Sequence, residues 1–284
     1  MRALPAFLAF PVYLLSLAPW PRAVHAEPLQ VVASIQPLAS ITEELGAGRV
    51  QVHALVPPGA SPHAFSARPS DRRRVARAAL LLRAGHGVDA WCARLLPGSE
   101  ARVLNLATLP GSAAHAWLDP LFVRDAVAPA LSAAMATADP AGRAAYALAL
   151  SSFQRRLGVL DAEIRHSLAA APSRTFVAFH AAWEPFALRY DLREIGSVEG
   201  SAGEELGPRS LAALLQRARA AGVHALLVAP QQDARLARTL AAEFGARIVQ
   251  VDPLGDPRDP RRATYPALLR YNARAFLRAL GDGP

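Results

Sequence analysis

Three histidines and one aspartate hold the chemistry that this sequence offers. His63 closes the stretch "LVPPGASPH", His115 sits in "SAAHAWLDP", His180 in "FVAFHAAW" and Asp252 in "IVQVDPLG". Imidazole nitrogen and carboxylate oxygen are ordinary ligands of a tetrahedral dication, and three imidazoles with one carboxylate match a zinc-type ligand set. Taken singly, each has a plainer reading. A loop histidine is more often solvated or bonded to a turn, and an aspartate before proline, as at Asp252–Pro253, starts turns and caps helices. Pro57, Pro58 and Pro62 surround His63 and lower the entropy cost of fixing it.

The remaining histidines are controls. His86, in the turn "RAGHGVD", is the one serious rival as a ligand. His53 lies inside a strand pattern, His166 on a long helical run, His224 at the start of a strand, and His25 in the first 26 residues. The single cysteine, Cys92, excludes both an intramolecular disulfide and a four-cysteine zinc site.

What makes the four residues a group is where the elements place them. Short β-rich runs begin at Leu29, Val50, Ala79 and Ala101, with helical patterns over Leu38–Leu45, Ser70–Ala78, Val88–Leu95 and Pro120–Ala138. One long helical run follows from Pro140 to Ala171, capped by Asp139 and stopped by Pro172; at 1.5 Å per residue it spans about 45–50 Å. Strand patterns then resume at Arg174, Leu192, His224 and Ala246. Helices are expected over Ala182–Tyr190, Pro208–Ala221, Asp233–Phe244 and Thr264–Leu280. The expected fold is therefore α/β: two lobes, each a four-stranded, mostly parallel sheet with flanking helices, joined by one long backbone helix. The segments divide as a signal peptide over 1–26, a first lobe over 27–138, a linker helix over 139–171 and a second lobe over 172–284. His63, His115, His180 and Asp252 all fall just past carboxyl ends of strands, two per lobe. That edge is where open α/β sheets bind ligands, so a metal is expected in the cleft between the lobes.

Composition narrows the setting. At 52% hydrophobic and 19% charged residues, the 284-residue chain can bury sizeable cores. Arg2, the apolar run "ALPAFLAFPVYLLSLA" and the small residues of "AVHA" read as a leader cleaved after about Ala26, its prolines arguing against a retained membrane helix. No later stretch is expected to be apolar enough to span a membrane, and Cys92 is not placed to take a lipid anchor. The formal charge of +8 comes wholly from arginine, scattered apart from "DRRRVAR", with no aromatic interleaving; nucleic acid is not an expected partner.

At these residues the chain resembles the zinc- and manganese-binding periplasmic proteins of ABC importers, the cluster A-I solute-binding proteins. The likeness rests on "VVASIQPLASI", "ALVPPGASPHAFSARPSD", "HAWLDP", "FVAFHAAWEPFALRYDL" with "EIGSVEG", and "VAPQQD" with "VQVDPLG", and on Tyr265 and Asn272 near the end. These segments span nearly all of the sequence past the leader, in order. The resemblance places the family's metal ligands on His63, His115, His180 and Asp252. It implies an exported, monomeric receptor that captures zinc(II) as transported cargo and delivers it to an inner-membrane permease driven by an ATPase.

The chain also departs from the family. "NLATLPGSAAHAW" lacks the long His- and acid-rich loop of many zinc-selective members, so no accessory metal capture is expected. Ala181 and "EPF" replace a more usual pattern, which leaves Glu184 as a solvated helix residue or an acid behind the ligands. Manganese-binding relatives typically carry Glu at the position of His180, so histidine there favours zinc. The rivals are a receptor for manganese, another divalent metal or a siderophore, and a zinc hydrolase. The hydrolase reading is weakened by the lack of HExxH and by a fourth protein ligand, which closes the position that catalytic zinc keeps open. Trp117 and Trp183 lie next to proposed ligands in sequence.

Overall fold

The computed structural model describes residues 27–281, so the expected leader and its cleavage point lie outside the described residues. Strands β1 (Leu29–Ala33), β2 (Val50–Ala54), β3 (Leu80–Arg83) and β4 (Arg102–Asn105) form one sheet in the order β2-β1-β3-β4. Strands β5 (Thr175–His180), β6 (Arg193–Glu199), β7 (Ala225–Val228) and β8 (Arg247–Gln250) form a second in the order β6-β5-β7-β8. Every pairing is parallel. The apolar runs of β3 and β7 are buried along most of their length, as strands covered by helices on both faces require.

In the first half, α1 (Gln36–Leu45) and α2 (Pro69–Arg77) each start on a proline in the first turn, and Asp71 accepts the Arg68 backbone N–H at 2.8 Å. The helix expected over Val88–Leu95 is only a 3-10 turn, Ala90–Leu95. Asp89 stands at the N-terminus of that turn. Its carboxylate turns back to accept the Ala84 and Gly85 N–H groups at 2.6 and 3.1 Å, leaving the turn uncapped.

The run Pro120–Ala138 is long and apolar enough, at mean hydropathy 1.2, to cross a membrane by length and composition, contrary to the sequence expectation. Here it is α3 (Pro120–Phe122), a π turn (Val123–Val127) and α4 (Ala128–Ala138), and it packs Val123, Val127, Leu131 and Met135 into the core.

The long helix α5 (Arg143–Ala169) has 27 residues, about 40 Å, shorter than expected. Asp139 does cap this region, accepting the Gly142 N–H, but the first three residues wind as a 3-10 turn before α5 begins. Tyr146, Phe153, Leu157, Leu160, Ile164 and Leu168 form its buried stripe, while Leu148 faces solvent. The second half adds α6 (Glu184–Arg189), α7 (Pro208–Ala220), α8 (Ala234–Phe244) and α9 (Tyr265–Leu280). Helix α5 packs on α1 and α4 of the first half and on α9 of the second. One continuous apolar core runs from the first sheet through α5 and α9 to the second. A cleft flanked by both sheets is thereby carried on a shared, densely packed floor.

Candidate metal centre

His63 lies nine residues past β2 on a loop held from two sides. Prolines restrict its backbone, and the Trp91 indole N–H donates to the Pro62 carbonyl at 2.8 Å while its ring packs on Phe65. His115 lies ten residues past β4 with φ of +58°, a left-handed conformation that turns the chain sharply into the segment Ala116–Leu118. That segment is fastened to the second half. The Trp117 indole N–H donates to the Pro253 carbonyl at 2.8 Å, and the Tyr265 hydroxyl donates to the Trp117 carbonyl at 2.8 Å. His180 is the last residue of β5 and needs no loop to place it.

The three imidazoles meet. Their ring centroids form a near-equilateral triangle with sides of 5.7, 5.1 and 5.2 Å, and one nitrogen from each lies within 4.8 Å of the others. The His115 and His180 Nε2 atoms face each other at 3.4 Å. Both nitrogens of His63 and the Nδ1 atoms of His115 and His180 are buried without a hydrogen-bond partner among the described residues. Buried polar atoms are normally satisfied, so such a concentration of unpaired nitrogens marks a place where something else binds. Burial lowers the pKa of all three rings. It holds His115 well below the usual range, with His180 and His63 adding to the effect, and holds His180 down at about 4, with His63 adding to it. All three are therefore neutral at pH 7, the form in which imidazole offers a lone pair. They line a cleft of about 320 Å³ together with Trp117, Glu199, Gln231 and Leu254.

Asp252 stands apart from this trio. Asn272 fixes its backbone on both sides, accepting the Asp252 N–H at 2.8 Å and donating to its carbonyl at 2.7 Å. Its carboxylate is almost fully buried and already engaged. Oδ2 accepts from the Arg262 guanidinium at 2.5 Å, and Oδ1 accepts from Leu254 N–H at 2.9 Å and from the Gln231 amide at 3.3 Å. It is not among the groups whose ligand atoms lie within 4.8 Å of one another. His86 does not join them either: it is exposed, and its Nε2 pairs with the Ser112 hydroxyl at 3.0 Å.

The carboxylate behind the histidines is not Glu184, which is exposed at the start of α6 and does not line the cleft. It is Glu199, whose Oε2 lies 3.7 Å from His180 Nδ1. Sequence reasoning gave no role to Glu199, Arg262 or Trp91. Glu199 sits at the end of a strand pattern, a place that could have singled it out. Arg262 lies in an arginine-rich loop with nothing to distinguish it from its neighbours.

Residues 31–279 match the family model described as zinc-uptake complex component A, periplasmic. The high-affinity zinc uptake system protein ZnuA of Haemophilus ducreyi is 24% identical, the match covering 88% of this chain and 93% of that protein. The metal ABC transporter substrate-binding lipoprotein SsaB of Streptococcus sanguinis is 23% identical over 86% of each. The crystal structure of a zinc-bound ZnuA deletion mutant superposes with a TM-score of 0.80 at 25% identity, covering 91% of this chain and all of that one. The chain belongs to the zinc-uptake complex component A family, a family of solute-binding receptors and not of enzymes.

Proposed function

We propose that this family member is an exported receptor that captures zinc(II) with His63, His115 and His180 and hands it to an ABC-type importer. One observation carries the reading: two neutral imidazole nitrogens 3.4 Å apart in a buried trio with unpaired nitrogens. With Zn–N bonds of 2.0–2.1 Å, the edge of a ligand tetrahedron is about 3.3–3.4 Å. A histidine-rich set suits zinc, whereas manganese prefers carboxylate and water oxygens. Zinc is cargo here, and the work of the protein is capture and release.

Asp252 completes the shell as a fourth ligand. A dication competes for its Oδ2 against the single positive charge of Arg262, so loading exchanges one cation for another at that oxygen. The shared core beneath the cleft favours small local adjustments of this kind over wide hinging. The expected setting is the periplasm, with the leader removed after about Ala26, a monomeric state, and a permease with its ATPase as partners. The boundaries 27–138, 139–171 and 172–284 are the working division into lobe, helix and lobe.

Calorimetric titration of the purified protein with zinc tests the reading. His180→Ala is expected to weaken binding at least tenfold, about 1.4 kcal/mol or more. Unchanged affinity, or tighter binding of manganese than of zinc by the unaltered protein, defeats it. Metal analysis of protein taken from its native compartment, without added metal, is expected to find zinc.

A further inference from the structure

We propose that Glu199 is a positioning residue for the metal site: its carboxylate accepts the Nδ1–H of His180 and so holds Nε2 as the atom that offers its lone pair to the cation. The inference rests on the zinc reading above and deepens it.

His180 and Glu199 are register partners at the ends of the parallel strands β5 and β6. Their backbones are tied by the Ala181 N–H donating to the Glu199 carbonyl at 3.0 Å. Beyond Glu199 the chain reverses at once. Gly200 N–H donates to the Glu204 carbonyl at 2.8 Å, Glu199 bridges Glu205 antiparallel, and Leu206 N–H returns to the Val198 carbonyl at 2.9 Å. Glu199 is thus gripped by backbone bonds on both sides, and its side chain is about four-fifths buried. The reversal also brings Gly203, at φ of +88°, against His63: a Cβ added there would lie 3.6 Å from the His63 Cβ. The turn that anchors Glu199 therefore also covers His63, one of the two ligands from the first half.

The two nitrogens of His180 have different neighbours. Nε2 faces His115 Nε2 at 3.4 Å, while Nδ1 is buried without a bond and has Glu199 Oε2 at 3.7 Å. A neutral imidazole carries one proton. For Nε2 to bind a cation, that proton must sit on Nδ1, where the Glu199 carboxylate is the charged acceptor and the Gly200 backbone also lies close to the ring. A ligating histidine that donates its other N–H to a carboxylate gains basicity and a fixed ring orientation, and loss of such a partner costs about 10–100-fold in metal affinity. A small ring rotation closes 3.7 Å to hydrogen-bond length.

The test uses zinc-loaded protein with ¹⁵N-labelled histidine, with Glu199→Ala and Glu199→Gln. In the unaltered protein the long-range ¹H–¹⁵N spectrum is expected to show a protected, downfield Nδ1–H on His180. Glu199→Ala is expected to abolish that signal and raise the zinc Kd at least tenfold. Glu199→Gln keeps the side-chain volume and is the variant to use should the alanine protein fail to fold; its signal moves upfield and its Kd rises several-fold. A Kd within twofold of the unaltered protein, or a weakened Kd with the Nδ1–H signal unmoved, overturns the proposal. His180→Ala is measured alongside. If it weakens zinc binding while the Glu199 variants do not, only the role of Glu199 is lost; if it too leaves affinity unchanged, the zinc reading itself falls.

Discussion

The buried carboxylate of Asp252 is paired to the guanidinium of Arg262, Nη1 to Oδ2, and Arg262 in turn reaches Asp259 at 3.1 Å. An anion so deep in the protein is stable only with its partner, and the same partner competes with an arriving dication. Arg262→Ala therefore has two effects of opposite sign. Leaving a buried charge unpaired costs about 3 kcal/mol or more, so the metal-free protein melts earlier. Freeing Oδ2 removes the competitor, so zinc binds more tightly. Thermal unfolding and calorimetry on the same variant check both; weaker zinc binding by Arg262→Ala would remove Asp252 from the ligand set.

Only one of the two tryptophans near the ligands in sequence is near them in space. The Trp117 ring lies 5.1 Å from that of His115 and lines the cleft. Trp183 is buried against Phe186 and Phe276 in the second half. Zinc is expected to change the intrinsic fluorescence, and Trp117→Phe to abolish most of that change. A response that survives Trp117→Phe but vanishes in Trp183→Phe would contradict the geometry.

Glu194 on β6 gives a pH dependence away from the metal site. Burial, with Glu184 adding to it, pushes its carboxyl up to about 7 from 4.5. The folded pKa lies above the unfolded one, so the unfolded state releases its proton first as pH rises. Stability present below pH 4.5 is thus lost progressively up to about pH 7. Glu194→Gln, always neutral, is expected to raise the melting temperature at pH 8 and to do little at pH 4.5. The gain at pH 8 is at most about 3 kcal/mol. An equal effect at both pH values would show that the carboxyl titrates normally.

Cys92 is fully buried, and burial, with Asp89 adding to it, pushes its thiol far above the usual range. The thiolate is the reactive form, so the native protein is expected not to react with a disulfide reagent such as Ellman's until denaturant is added. Rapid labelling of the folded protein would show that the turn Ala90–Leu95 opens readily.

The sequence alone determined the strands, the helices and the residue types of the site. Strand and helix patterns are written in hydrophobic period, proline position and capping residues, all of which act within a few neighbours. The starts at Leu29, Val50, Arg174 and Ala246 therefore lie within a residue of the observed strands. His63, His115 and His180 could be named because imidazoles just past strand ends share one edge of a parallel sheet. The misreadings lie where a side chain chose between local and distant partners. The helix expected over Val88–Leu95 is cut to a 3-10 turn where Asp89 turns back to Ala84, and Glu199, given no role from sequence, stands behind His180 because the register of β5 on β6 puts it there.

Tertiary structure alone decided that Arg262 holds Asp252, that Trp117 and not Trp183 borders the cleft, and that two Nε2 atoms stand a tetrahedron's edge apart. The reason is physical. Strand register and the docking of two halves on a common helix are set by the sum of many distant contacts, and a shift of one residue in that register would turn each strand side chain to the opposite face.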